Sequence, residues 1–186
     1  ARTDHALQLS TQVPNNTVLD WQFGDAGATR SALSDANHVV SISVNNHRVA
    51  MNAMETRGAL GWYDAQDKRY RITLSSQNVH VIRDHIAYSL GETPSAIRAT
   101  APDVGGGFGV RNFIYNEYVL VLWAAKAIGR PVKWTNTRSD GFLSDHQARD
   151  FSASARLGLD AEGRFLGLSI DCDFNLGAYL IGAGGG

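Results

Sequence analysis

Residues 96 to 128, "AIRATAPDVGGGFGVRNFIYNEYVLVLWAAKAI", join an extended run to a long apolar run through a loop with glycine at 105, 106, 107 and 109. Few folds accept this order. A strand has to end, the chain has to turn almost without Cβ atoms, and a helix has to begin soon afterwards. Glycine in such a place either supplies a left-handed backbone or admits a close neighbour. The segment 113 to 128 is apolar nearly all round, which predicts a helix buried on most sides. Gly129 is placed to end it, and Pro131 prevents its continuation.

The flanking sequence extends the pattern. "RYRITLSS" (69 to 76) reads as a strand, and Val79, Ile82, Ile86 and Leu90 recur at helical steps before Gly91. "AIRATA" (96 to 101) and "VKWTNT" read as strands on either side of the loop and second helix. The order strand–helix–strand–helix–strand implies two crossover units, which can carry parallel strands. "HVVSISV" (38 to 44) alternates like a strand, and "FSASARLGL" and "RFLGLSIDCDF" around "DAEG" read as a β-hairpin. Residues 1 to 30 read as an irregular N-terminal segment, and 31 to 186 as the domain proper. The fold class is therefore α+β, a mixed α/β arrangement. Ala1 at one end and "GAGGG" at the other suggest a piece cut from a longer chain at both ends.

Composition narrows the chemistry. A formal net charge of -1 leaves no nucleic-acid footprint. The longest apolar run is too short for a membrane span. With Cys172 as its one cysteine, this chain builds no internal disulfide and no Cys-ligated cluster. The histidines lack ligand spacing; His80 and His85, five apart, fall on different faces of a helix.

Neither common phosphate fingerprint fits the loop. A dinucleotide motif begun at Gly105 or Gly107 meets Val110 or Asn112 where it needs its last glycine, and no Lys-Ser or Lys-Thr pair follows any glycine. Two readings of the residues stay open. One is a tight turn packed on neighbouring backbone. The other is a ligand site in which amides near a helix start meet an anionic or oxo group. A non-enzymatic anion- or nucleotide-binding module would use the loop in the second way.

Spacing adds a further signal. "SSQN" (75 to 78) precedes the first helix and "GGGFG" the second, with Gln77 and Phe108 separated by 108 − 77 = 31 positions. "AMETRGAL" (53 to 60), "AAKAIGRPVKW" (124 to 134) and "GLDAEGRFLGLSIDCDFNLGAY" accompany them. Together these resemble the molybdenum-binding subunits of the xanthine dehydrogenase, aldehyde oxidase and aerobic carbon monoxide dehydrogenase family. Thr56 stands where that family usually has Pro, and Arg111 where it usually has Lys.

The resemblance implies part of a molybdopterin-binding domain from an oxidoreductase that oxidises an aldehyde, an N-heterocycle or carbon monoxide with water-derived oxygen. The implied cofactor is molybdenum pyranopterin, as molybdopterin or its cytosine dinucleotide form. Implied cofactor contacts are Gln77, with its amide aimed at an oxo ligand, and Gly106, Gly107, Phe108 and Gly109. Phe108 is also implied as a wall of the substrate pocket. No residue here is implied to ligate the metal directly, and the catalytic base, a glutamate in the family, is implied to lie outside these residues. Iron–sulfur clusters and FAD are implied on partner subunits or domains, hence a hetero-oligomer, in the cytoplasm. The isolated piece is implied to be inactive, with apolar faces exposed.

Other residues carry structural expectations. Glu55 and Arg57 suggest a structural ion pair, and Glu117, in an apolar helix, requires a buried partner. Asn112 suits a helix cap. Cys172 and the four tryptophans read as core or packing residues.

Overall fold

A computed structural model describes residues 7–177. Its elements, in chain order, are α1 (Ala26–Asp35), β1 (His38–Asn46), β2 (Val49–Ala50), β3 (Gly58–Asp64), β4 (Arg69–Leu74), α2 (Val79–Leu90), β5 (Ile97–Thr100), α3 (Asn116–Ile128), β6 (Val132–Thr135), α4 (Arg138–Ser144), β7 (Gln147–Ala148), β8 (Phe151–Leu159) and β9 (Phe165–Phe174). The described residues divide into two compact units: 7–47 with 149–177, and 48–148.

The first unit is an antiparallel sheet in the order β1-β8-β9, and the expected hairpin is β8–β9. Helix α1 packs on its small-residue face. A Cβ added at Gly158 would lie 3.1 Å from Ala36 Cβ, and one at Gly167 would lie 2.9 Å from Ala32 Cβ. These two glycines let the helix approach the sheet. The irregular segment expected to run to residue 30 stops earlier, because Asp25 Oδ1 accepts from Ala28 N at 2.9 Å and starts α1. On the other face, Val40, Ile42 and Val44 stand in register with Leu157, Ala155 and Ala153, and these with Leu168, Ile170 and Cys172. That face is exposed: Ile42 is 59% and Ile170 58% accessible. Cys172 is accordingly exposed, contrary to the buried position expected of it. Alternation shows that two faces differ and leaves open which one is covered.

The second unit holds the core. Its four-stranded sheet runs β5-β4-β3-β6, with β4 and β5 parallel and β3 antiparallel to both β4 and β6. The first crossover, β4–α2–β5, places its strands side by side as expected. The second ends differently: β6 lies at the far edge, bonded to β3 rather than to β5. Strand β3, "GALGWYD", was not expected; its two glycines weaken its strand pattern. Gly61 has a use in it, because a Cβ there would meet Leu122 Cδ2 at 3.0 Å. Ile72, Leu74, Ile82, Ile86, Tyr118 and Leu122 close the core between sheet and helices.

Helix α2 has the predicted bounds, with Asn78 Oδ1 accepting from Val81 N and Gly91 left-handed (φ 68°). Helix α3 begins at Asn116 rather than 113, since a 3-10 turn at Val110–Asn112 and extended residues precede it. It is not buried on most sides: Leu120 is 56% and Trp123 63% exposed, opposite the buried Tyr118, Val121, Leu122 and Ala125. Trp21, at 71%, is exposed too, whereas Trp134 packs against the core. Among the described residues no helix is long and apolar enough to cross a membrane.

Candidate functional site

Strands β4 and β5 run in parallel, so the segments that follow them, Ser75–Asn78 and the glycine loop, emerge at the same end of the sheet. Hydrogen bonds lock the two together. Gln77 Oε1 accepts from Gly109 N at 2.9 Å and from Arg111 N at 3.3 Å. Gln77 N donates to Arg111 O at 3.2 Å, and Ser76 Oγ donates to the same carbonyl. Backbone N–H groups can only donate, so the atom they meet must be the amide oxygen. The side chain is thereby oriented, and its NH2 group is the end left for a ligand.

Glu55 holds the other end of the loop. Its Oε2 accepts from Gly105 N at 2.7 Å and from Ser75 Oγ at 2.8 Å, while its own N donates to Gly105 O at 3.1 Å. Glu55 and Arg57, expected to pair with each other, have separate partners: the carboxylate bonds Gly105 and Ser75, and the guanidinium bonds Asp145, Glu117 and Ser144.

The glycines fall into two classes. A Cβ at Gly105 would come within 2.6 Å of Glu55 Cβ, and one at Gly107 within 2.4 Å of Gln77 Cδ. These two make room for side chains of this chain, so the close neighbour inferred from the sequence is in part the protein itself. Gly106 (φ 113°) and Gly109 (φ 93°) are needed for their backbone angles. Phe108 has φ 48°, a region costly for a bulky residue, and its ring is 68% exposed. Among the described residues, no hydrogen bond uses the N–H groups of Gly106, Gly107 or Phe108. Three successive backbone donors, beside the Gln77 NH2 and with no carboxylate among them, suit a ligand rich in acceptor atoms.

Beneath the loop lie two fully buried arginines, Arg57 and Arg111. Arg57 donates to Asp145 Oδ1 at 2.5 Å, Glu117 Oε2 at 3.1 Å and Ser144 Oγ at 2.9 Å. Its guanidinium lies 3.8 Å from the Tyr115 ring centroid. Glu117 thus has the partner its apolar helix demanded. Burial disfavours the charge on Arg57, but its bonds to Asp145 and Glu117 outweigh that and leave its pKa raised. Arg111 Nη2 donates to Glu55 O, while its Nε and Nη1 are buried without partners among the described residues. Tyr115 links this layer to the loop: its hydroxyl donates to Val110 O at 3.1 Å and accepts from His146 N at 3.3 Å. Burial, foremost, pushes the Tyr115 pKa up to about 12. Burial and then Arg57 hold that of His146 below its usual value.

Gln77, Gly106, Gly107, Phe108 and Gly109 are therefore brought together. Asn112 is not a cap; it is exposed in the 3-10 turn, and Tyr115 precedes α3. Glu55, Ser75, Arg111 and Tyr115 carry the site's support and were not singled out for it. "SSQN" and "METR" contain the polar residues that could have flagged it. Among the described residues no group of His, Cys, Asp or Glu could hold a metal.

Comparison with known proteins adds independent information. The profile of the family described as Molybdopterin cofactor-binding domain matches residues 9–185. The carbon monoxide dehydrogenase large chain of Hydrogenophaga pseudoflava is 32% identical over 165 residues, covering 89% of this chain and 20% of its own. The nicotine 6-hydroxylase large subunit of Paenarthrobacter nicotinovorans is 34% identical over 157 residues, 84% of this chain and 19% of its own. Among solved structures, quinoline 2-oxidoreductase from Pseudomonas putida 86 superposes with a TM-score of 0.70 at 30% identity, covering 76% of this chain and 18% of that one. The chain thus spans about a fifth of the length of the curated relatives it matches.

Proposed function

Since the chain belongs to the molybdopterin cofactor-binding domain family, we propose that its glycine loop and Gln77 form one wall of a molybdenum cofactor site in an oxidoreductase. The observation that carries this reading is the locked Gln77 amide, whose oxygen is held by Gly109 N and Arg111 N. Gln77 Nε2 and the N–H groups of Gly106, Gly107 and Phe108 would donate to acceptor atoms of the pyranopterin or its metal centre. The donor set fits such a group because it is neutral and preorganised, the carboxylate at the loop, Glu55, being engaged by Gly105 N and Ser75 Oγ.

When bound, the cofactor supplies an oxidising centre for inserting water-derived oxygen into an aldehyde, an N-heterocycle or carbon monoxide. The residues of this chain bind and orient. Phe108, held at an unfavourable φ, presents its ring as a wall of the substrate pocket. Glu55 and Tyr115 fix the two ends of the loop. The catalytic base, a glutamate, and the rest of the cofactor cage belong to other parts of the protein. Electrons leave to iron–sulfur and flavin partners in a hetero-oligomer, in the cytoplasm.

Metal analysis and turnover of the full-length protein test this. Bound molybdenum with dye reduction by one of these substrates is the expected result. A bound phosphate compound without molybdenum would instead favour an anion-binding module.

A further inference from the structure

Where α2 lies beside the edge strand β5, a cavity of about 300 Å³ opens, lined by Arg69, His80, Arg83 and Arg98 above the apolar Val79 and Ile97. None of these residues belongs to the glycine loop or touches it through a hydrogen bond among the described residues. The cavity wall carries three guanidinium groups and an imidazole, and no carboxylate.

The charge here is only partly answered. Arg83 pairs with its neighbour Asp84 at 2.7 Å. The parallel register sets Arg98 directly beside Arg71, whose own charge is met by Asp64 and Asp67. Like charges side by side on a sheet are destabilising unless something neutralises them. Among the described residues, Arg69 and Arg98 have no acidic partner, and Arg69 Nε is buried without a hydrogen-bond acceptor. A guanidinium fork offers parallel donors that match the oxygens of a phosphate.

We propose that this cavity is a second anion site, taking the phosphate group of a small organic phosphomonoester, with the partly exposed Val79 and Ala99 against its organic part. The volume is at the small end of the range for ligand pockets, which suits a compact ligand. The proposal goes beyond the cofactor reading and does not depend on it.

Equilibrium dialysis of the full-length protein against radiolabelled inorganic phosphate and glycerol 3-phosphate tests it, on cofactor-loaded and cofactor-free samples. The expected result is one saturable equivalent, weakened by salt, with glycerol 3-phosphate bound more tightly than phosphate. The Arg69→Met/Arg98→Met variant should bind at least tenfold more weakly, while Arg130→Met, an exposed arginine elsewhere, binds as wild type. Molybdenum content should be unchanged in all. If the double variant does not fold, Arg98→Gln, on an exposed side chain, replaces it and should still weaken binding several-fold. Absence of saturable binding, or equal affinity in the arginine variants, overturns the proposal. So does phosphate binding that vanishes when cofactor is loaded, since the anion would then be the cofactor's own.

Discussion

Replacing Gly107 by alanine should weaken cofactor binding through Gln77 rather than through a direct clash with the ligand. A Cβ at 107 would stand 2.4 Å from Gln77 Cδ, 2.6 Å from its Cγ and 2.7 Å from its Oε1, all far inside contact distance. Gln77 is exposed, so its side chain can swing into solvent instead of forcing the loop apart. That motion breaks two hydrogen bonds, from Gly109 N and Arg111 N. At about 0.5–1.5 kcal/mol net each, the loss of stability is about 1–3 kcal/mol, small enough to leave a folded protein. In Gln77→Ala the offending atoms are gone, so adding Gly107→Ala should cost almost nothing more. The assay is a double-mutant cycle on the full-length protein, reading molybdenum per folded molecule and the denaturant midpoint. Gly163→Ala, in a hairpin turn at φ 82° with open space around it, is the control that lowers stability without changing metal content. Additive losses at 77 and 107, or full molybdenum content in Gly107→Ala, would refute the reasoning.

Four further outcomes are expected from the same structure. In full-length protein that still binds molybdenum, Gln77→Ala should lower turnover by about 10²–10³-fold, the usual effect of losing one preorganised donor, with little change in thermal midpoint. Arg57→Met should destabilise the fold by about 3 kcal/mol, because it leaves Glu117 and Asp145 partly buried without their cation; chemical denaturation measures this. For pH, burial favours neutral His146, so its folded pKa lies below the unfolded value of 6.5. Its contribution is present above pH 6.5 and is lost as pH falls through the folded pKa, so stability should drop on acidification and His146→Gln should flatten that drop. Tyr115 works in the opposite direction: its pKa, raised to about 12, makes its contribution complete below pH 10 and lost between 10 and 12, a step that Tyr115→Phe should remove from an alkaline unfolding titration.

Where periodicity and caps agree, an element is legible in the sequence. Helix α2 was legible because Val79, Ile82, Ile86 and Leu90 share one face and Gly91 closes it. The association of Gln77 with the glycine loop was legible only through the resemblance of "SSQN" and "GGGFG" to the family's motifs. What stayed hidden depends on tertiary partners. β3 contains Gly58 and Gly61, whose missing side chains make sense only with Trp134 and Leu122 beside them. Helix α3 looks buried all round, yet Leu120 and Trp123 face outward in this chain. The roles of Gly105 and Gly107 could not be read either, since the groups filling their Cβ space come from residues 55 and 77. Arg57 finds Glu117 and Asp145, 60 and 88 positions away, by folding and not by any local pattern.

In the proposed function, Gln77 and the amides of Gly106, Gly107 and Phe108 face a molybdenum cofactor. Anomalous diffraction at the molybdenum edge from crystals of the full-length protein tests it most directly. The expected result is a molybdenum peak beside Gln77 Nε2 and these amides, with Gln77 Oε1 still bound to Gly109 N and Arg111 N. A molybdenum centre elsewhere, with the loop amides turned to solvent or protein, would contradict it.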